Sequence, residues 1–236
     1  GTDVINEREH EHTCRALTTW AKEDNIEVLG NPDPCSRVGI ISFNIRDPHG
    51  KYLHHKFLTA LLNDLFGIQS RAGCSCAGPY GHRLLHIDEQ TSEKYREAVQ
   101  QGYCGLKPGW CRVGLHWVMD DAEAGYVIDA VRFLAREGHR FLALYDFDLA
   151  TGTWVHRRST GKLPQFSLDA ALEDDEGKPA KLSLPLRKQL YRHYMNEAQK
   201  IAARLRREPE GRTASLGGEL ADLQFFALPD DERQPH

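Results

Sequence analysis

Leu53, Phe57, Leu61 and Leu65 recur at every fourth position through a run that ends at Gly67. Side chains at that spacing share one face of a helix, and an apolar face must be buried against a partner. Gly67 supplies the stop, so the spacing predicts a helix over 52–66. The nearest apolar partner upstream is residues 37–45, RVGIISFNI. Its β-branched and aromatic residues follow a Pro-containing loop, and Asp47-Pro48-His49-Gly50 closes it, which predicts a strand. The remaining elements have the same mixed character. Residues 1–24 carry Val4, Ile5, Leu17, Trp20 and Ala21 among charges and predict a helix, and 26–29 predict a short strand. Residues 70–81 are rich in small side chains and predict a loop. Residues 91–101 predict a helix capped by Thr91 or Ser92. Residues 111–118 alternate as a strand does. Asp120 followed by Glu123 opens a helix whose face is Val127, Ala130, Val131 and Leu134 and which stops near Gly138. Tyr145, Phe147 and Leu149 alternate with Asp146 and Asp148 in a hairpin over 144–156, and these two aspartates are expected on its wet face. This order predicts an α+β fold, a small, mainly antiparallel sheet covered by helices.

Composition narrows the function. Forty per cent of the 236 residues are hydrophobic, enough for a core. Thirty Lys and Arg against thirty-four Asp and Glu give a formal charge of −4, which disfavours a nucleic-acid partner. No apolar run is long enough to span a membrane, and no secretory leader is visible. Six cysteines without regular spacing predict reduced thiols and a cytoplasmic protein. The chain opens Gly1-Thr2-Asp3 without Met and runs straight into a helix, as a processed product or a piece of a longer protein would.

Three regions are expected: a helix over 1–25, an α+β domain over 26–156, and a C-terminal extension over 157–236. In the extension, 168–181 is polar and acidic and reads as a loop. A long amphipathic helix follows over 186–207, with apolar positions including Leu186, Leu190, Tyr194 and Ala198. Seven Lys and Arg against one acidic residue between 184 and 207 make it basic. A packed helix whose Lys and Arg stems cover its flanks is favoured over a nucleic-acid face.

The unusual chemistry lies in residues 71–82, RAGCSCAGPYGH. A thiol becomes nucleophilic where positive charge or backbone N–H groups favour its thiolate, and Arg71 and a glycine-rich loop offer both. Three readings stand side by side. Cys74 and Cys76 are inert semi-buried thiols. Or Cys74, Cys76, His82 and His86 form a C-x-C-x5-H-x3-H zinc set, although C-x-C is tighter than the usual spacing. Or one cysteine is catalytic and carries sulfur.

The stretch 66–73 followed by Cys76-Ala77-Gly78-Pro79 resembles the R-x-G-x-x-C-A-x-P loop of class V aminotransferases and cysteine desulfurases, pyridoxal-phosphate enzymes of fold type I. Residues 109–115 resemble the family's x-x-R-x-S-x strand, with Gly114 where Ser is common. Residues 37–43 resemble its first small-domain strand, and 123–134 its closing helix. The resemblance covers about residues 1–156. It implies that Cys76 is the nucleophile that takes sulfur from cofactor-bound cysteine as a persulfide. It implies that Arg112 grips the substrate carboxylate and that Arg71 opens the loop. Cys74, a possible second thiol, has no counterpart, and the stretch between loop and strand is longer than in the simplest desulfurases. The family's cofactor lysine sits in a large domain. The one His-Lys pair here, His55-Lys56, falls in the small-domain helix and reads as a surface lysine, and the pyridine-holding Asp and phosphate-cradling turn are not found. The resemblance therefore implies the C-terminal small domain of such an enzyme, with the 1–25 helix leading to a missing large domain that binds pyridoxal phosphate. It also implies a homodimeric parent, an amino-acid substrate such as cysteine, and an inactive isolated chain. The alternatives are a non-catalytic interaction module of the same fold or the zinc-binding domain. Elsewhere, His10 and His12 are expected on a solvated helix surface, and His116 in the core or at a strand edge.

Overall fold

The computed structural model describes residues 1–74, 78–160, 182–207 and 214–229. Its centre is an antiparallel sheet of β1 (Ile26–Val28), β2 (Ile40–Ile45), β3 (Arg71–Gly73) and β4 (Trp110–Gly114), in the spatial order β1-β2-β4-β3. Phe43 pairs with Cys111 and Cys111 with Ala72. One residue along, Ser42 pairs with Arg112 and Arg112 with Arg71. Because strand side chains alternate, this register gives the sheet two unlike faces. Ile41, Phe43, Ile45, Cys111 and Val113 are buried on one. Ile40, Ser42, Asn44, Trp110, Arg112 and Arg71 stand on the other; Ile40 is 45% exposed at one end of it, whereas Asn44 and Trp110 are buried at the other.

Two helices from the described residues, α2 (His55–Phe66) and α5 (Asp121–Glu137), join the buried face in one core, and α1 (Thr2–Trp20) packs along α5. Phe57 and Leu61 are fully buried and Leu65 partly so, as the four-residue spacing requires; each fully buried side chain is worth about 1.5–3 kcal/mol. The α1–α5 contact is tied by the Trp20 indole N–H to the Ile128 carbonyl at 3.1 Å and by His12 Nε2 to the Met119 carbonyl at 3.2 Å. His12 is thus buried, not solvated: it lies on the α1 face turned to the Met119 turn.

Several boundaries differ from the sequence reading. The strand expected over 37–45 begins at Ile40, because Asp33 caps a short 3-10 turn at Pro34–Ser36 ahead of it. The helix expected from 52 begins at His55; Tyr52 instead bridges Arg46 and Phe226. The expected loop over 70–81 contains β3 and the start of α3 (Gly78–Leu84), because pairing with β4 makes a strand from residues with little strand propensity of their own. The cap of α4 (Glu89–Gln100) is Asp88, whose carboxylate accepts from Thr91 N–H at 2.7 Å. The strand expected over 111–118 ends at Gly114, and His116, Trp117 and Val118 are exposed on the turn that follows. Asp120 caps α5 by accepting from the N–H groups of Ala122 and Glu123. The hairpin forms as β5 (Tyr145–Asp148) and β6 (Thr153–His156), with Asp146 and Asp148 exposed.

The last long helix, α6 (Leu184–Leu205), buries only Ala198 and Ala202. Its N-terminal half leaves Leu186 and Tyr194 uncovered, so the expected apolar stripe is packed along part of its length. The acidic stretch 168–181 lies outside the described residues. Residues 214–229 return to the core, where Phe226 and Ala227 are fully buried and Ala227 N–H donates to the Tyr52 carbonyl at 2.9 Å. Among the described residues no helix is long and apolar enough to cross a membrane.

Candidate functional site

Arg71 and Arg112 are forty-one positions apart in sequence and directly opposite one another in the sheet. Cross-strand partners project from the same face, so β3 and β4 carry two arginine side chains from directly opposed positions, with Ser42 of β2 next in the row. Like charges in that position repel, and among the described residues neither arginine meets a carboxylate. The row is therefore short of negative charge, and a planar carboxylate can be gripped there by a two-point fork. Cys74 follows Gly73 at the end of β3 and is half-buried. The thiol loop thus leaves the sheet from the strand that carries Arg71. Cys76 itself lies outside the described residues.

Gly114 also lies on this face. A Cβ there would come within 3.1 Å of His116 Nε2, so the imidazole occupies the space that the resemblance gives to a serine side chain. His116 is exposed, neither core nor edge strand, because β4 has already ended. Val38, Ile40, Trp117 and Val118 add exposed apolar surface around the end of β2 and β4.

A second group of side chains was not anticipated. His54 and His55, at the start of α2, are 1% and 3% exposed and stack at 4.3 Å. His54 Nδ1 accepts from Lys56 N–H and Nε2 donates to the Gly105 carbonyl at 3.1 Å, which fixes a neutral tautomer. Burial pulls its pKa down to about 3, against the opposing Gly105 carbonyl. Burial, then the neighbouring His54, Lys56 and Lys107, hold His55 well below the ordinary imidazole value. The sequence signal was present: two histidines at the first turn of a strongly apolar helix, where one can cap and both are covered.

Lys56 does not fit pyridoxal phosphate. Its Nζ donates to the Thr151 carbonyl at 2.8 Å, reaching from α2 to the β5–β6 turn, whereas the arginine row stands on the sheet face away from α2. Among the described residues no three His, Cys, Asp or Glu side chains gather closely enough to hold a metal. His82 Nδ1 is engaged with the Ser92 hydroxyl at 2.9 Å, and His86 sits in the left-handed backbone region at the end of α3. The five described cysteines are free thiols. Burial pushes the Cys111 thiol up to about 12, which makes it inert. Compared with known proteins, the chain matches no family model and no curated sequence.

Proposed function

We propose that this chain is the small domain of a class V aminotransferase-like enzyme, and that its open sheet face holds the carboxylate of an amino acid such as cysteine. The carrying observation is the Arg71–Arg112 pair: two arginines at directly opposed positions of β3 and β4, without a carboxylate among the described residues. Arg112 is the principal fork and Arg71 its neighbour at the root of the thiol loop. In this reading Cys76 accepts sulfur, Cys74 is a second thiol beside it, and the parent is a cytoplasmic homodimer. Pyridoxal phosphate supplies the electron sink, held by polypeptide outside these 236 residues, since Lys56 is engaged elsewhere. The chain's own contribution is to bind and orient the substrate; alone it turns nothing over.

The complete reading frame tests this. Arg112→Ala raises the amino-acid concentration needed for half-maximal rate, a loss of about 2–4 kcal/mol for a charged pair. Cys76→Ser abolishes sulfide release from cysteine and leaves the cofactor absorbance intact. An unchanged substrate requirement in the first variant, or undiminished sulfide in the second, overturns the corresponding role. A second reading, an interaction module of the same fold, is favoured by the apolar rim of Val38, Ile40, Trp117 and Val118. It is separated by the first experiment, because a module has no substrate requirement to change.

A further inference from the structure

A groove of about 970 Å³ runs between α5 and α6, on the other side of α5 from the sheet. Its floor is apolar: Tyr126 stacks on Tyr191 at 4.2 Å with ring planes 12° apart, and Phe133 and Met195 continue it. The α5 wall runs from Asp121 to Glu137, ~24 Å at the rise of an α-helix. Gly125 lies in that wall beneath the Arg15 guanidinium, and a Cβ there would meet Arg15 Nη2 at 2.5 Å, so α1 reaches over one end.

The walls hold six cations against three carboxylates. Arg132 and Arg136 are engaged by Glu23, and Arg206 by Glu137. Lys188 and Arg192, one turn apart on α6, meet no carboxylate among the described residues. One end of the groove therefore combines unpaired positive charge with the apolar floor of Tyr126, Tyr191 and Met195, between two helices whose walls are about four turns long.

We propose that this groove receives an acidic amphipathic helix from a partner protein. The apolar side chains of that helix lie on the tyrosine and methionine floor, and its carboxylates meet Lys188, Arg192 and Arg15, the helix-in-groove mode of recognition. A nucleic acid fits less well. The two tyrosine rings stack on each other rather than presenting faces to bases, the floor offers phosphates nothing, and the whole chain carries −4. The groove is separate from the arginine row on the sheet and does not depend on the function proposed for it.

The test titrates the full chain into a fluorescein-labelled helical peptide of ~16 residues with Leu at helical spacing and Glu elsewhere, read by anisotropy. The comparators are the same peptide with Lys for Glu and a single-stranded oligonucleotide. The acidic peptide binds saturably and weakens as salt rises, and Lys188→Glu with Arg192→Glu weakens it about tenfold. Ala203 is an exposed wall residue near Arg206, so Ala203→Trp obstructs that end of the groove without altering charge, and it removes binding of a peptide that spans the groove while circular dichroism stays unchanged. Absence of saturable binding, equal binding of the Lys peptide, tighter binding of the oligonucleotide, or indifference to Ala203→Trp overturns the proposal.

Discussion

The two faces of the central sheet are made by the same strands and obey different rules. On the covered face every position from Ile41 to Ile45 that points inward, together with Cys111 and Val113, is removed from water. There, transfer of apolar surface decides residue type, and close packing punishes any change of volume. One residue along, the other face is buried at one end by Asn44 and Trp110 and opens toward an isoleucine nearly half exposed, a serine, and two opposed arginines. Nothing in folding requires those arginines to be neighbours, and electrostatics opposes it. The covered face explains why the chain folds. The open face carries an arrangement that stability alone does not favour, and such arrangements are where function is found.

The sharpest way to break this contrast is to truncate both faces of one strand. Phe43→Ala empties a fully buried site against Trp20, whose ring centroid is 5.3 Å away, and is expected to cost about 3–5 kcal/mol. Ile40→Ala, three residues earlier on the open face, is expected to change stability by less than about 0.5 kcal/mol. Urea denaturation of the two variants measures both. If the Ile40 variant loses as much as the Phe43 variant, the open face is covered and the contrast fails.

Acid should act on the covered side first. His54 has a folded-state pKa of about 3 against an ordinary 6.5. Between those values the unfolded chain takes up a proton that the folded chain does not. Stability is therefore full above about pH 6.5 and is lost as pH falls toward 3, by about 1.4 kcal/mol per unit from this residue. His55 shifts in the same direction and steepens the slope. Urea midpoints at stepped pH should show that slope, and His54→Gln should flatten it whatever its effect at neutral pH. A flat profile between pH 6.5 and 5 would show that these imidazoles are not shielded from water.

Glu23 sharpens the comparison from the helical side. Hydrogen bonds from Arg136, then Arg132, outweigh burial and hold its carboxyl below the usual 4.5. A lowered carboxylate pKa gives stability that is present above about 4.5 and fades as pH falls below it, a window more acidic than that of the histidines. Glu23→Gln should cost about 1–2 kcal/mol at neutral pH, limited by the exposure of Arg136, and should remove only the more acidic part of the profile. Thermal unfolding of the variant across that range checks it.

What was legible in the sequence follows the same division. The four-residue spacing from Leu53, the alternation around Phe43 and the Asp120 cap each express a local rule, and each element is present. Strand β3 was not legible, because Arg71-Ala72-Gly73 becomes a strand only through pairing with a segment forty residues later. The arginine pair was hidden for the same reason. Each arginine stands out alone in the sequence, but their opposition depends on a register that no local pattern encodes. The buried histidines are not legible either, because a polar residue at a helix start ordinarily reads as solvated, and one of the rings that cover His54 is Phe226 from the far end of the chain.

The smallest expected effect bears most directly on the open face. If Arg71 and Arg112 are held in register for a ligand, their mutual repulsion is a standing cost to the free chain. Removing one charge should then raise stability. Arg112→Ala is expected to stabilise by about 0.2–1 kcal/mol, the range for cross-strand pairs, and the gain should shrink as salt screens the repulsion. Arg112→Met keeps much of the side-chain bulk and separates charge from packing; it should stabilise at least as much. Paired urea titrations at low and high salt resolve differences of this size. Loss of stability in both variants would mean that Arg112 has a folding role and that the open face is not set apart from the core after all.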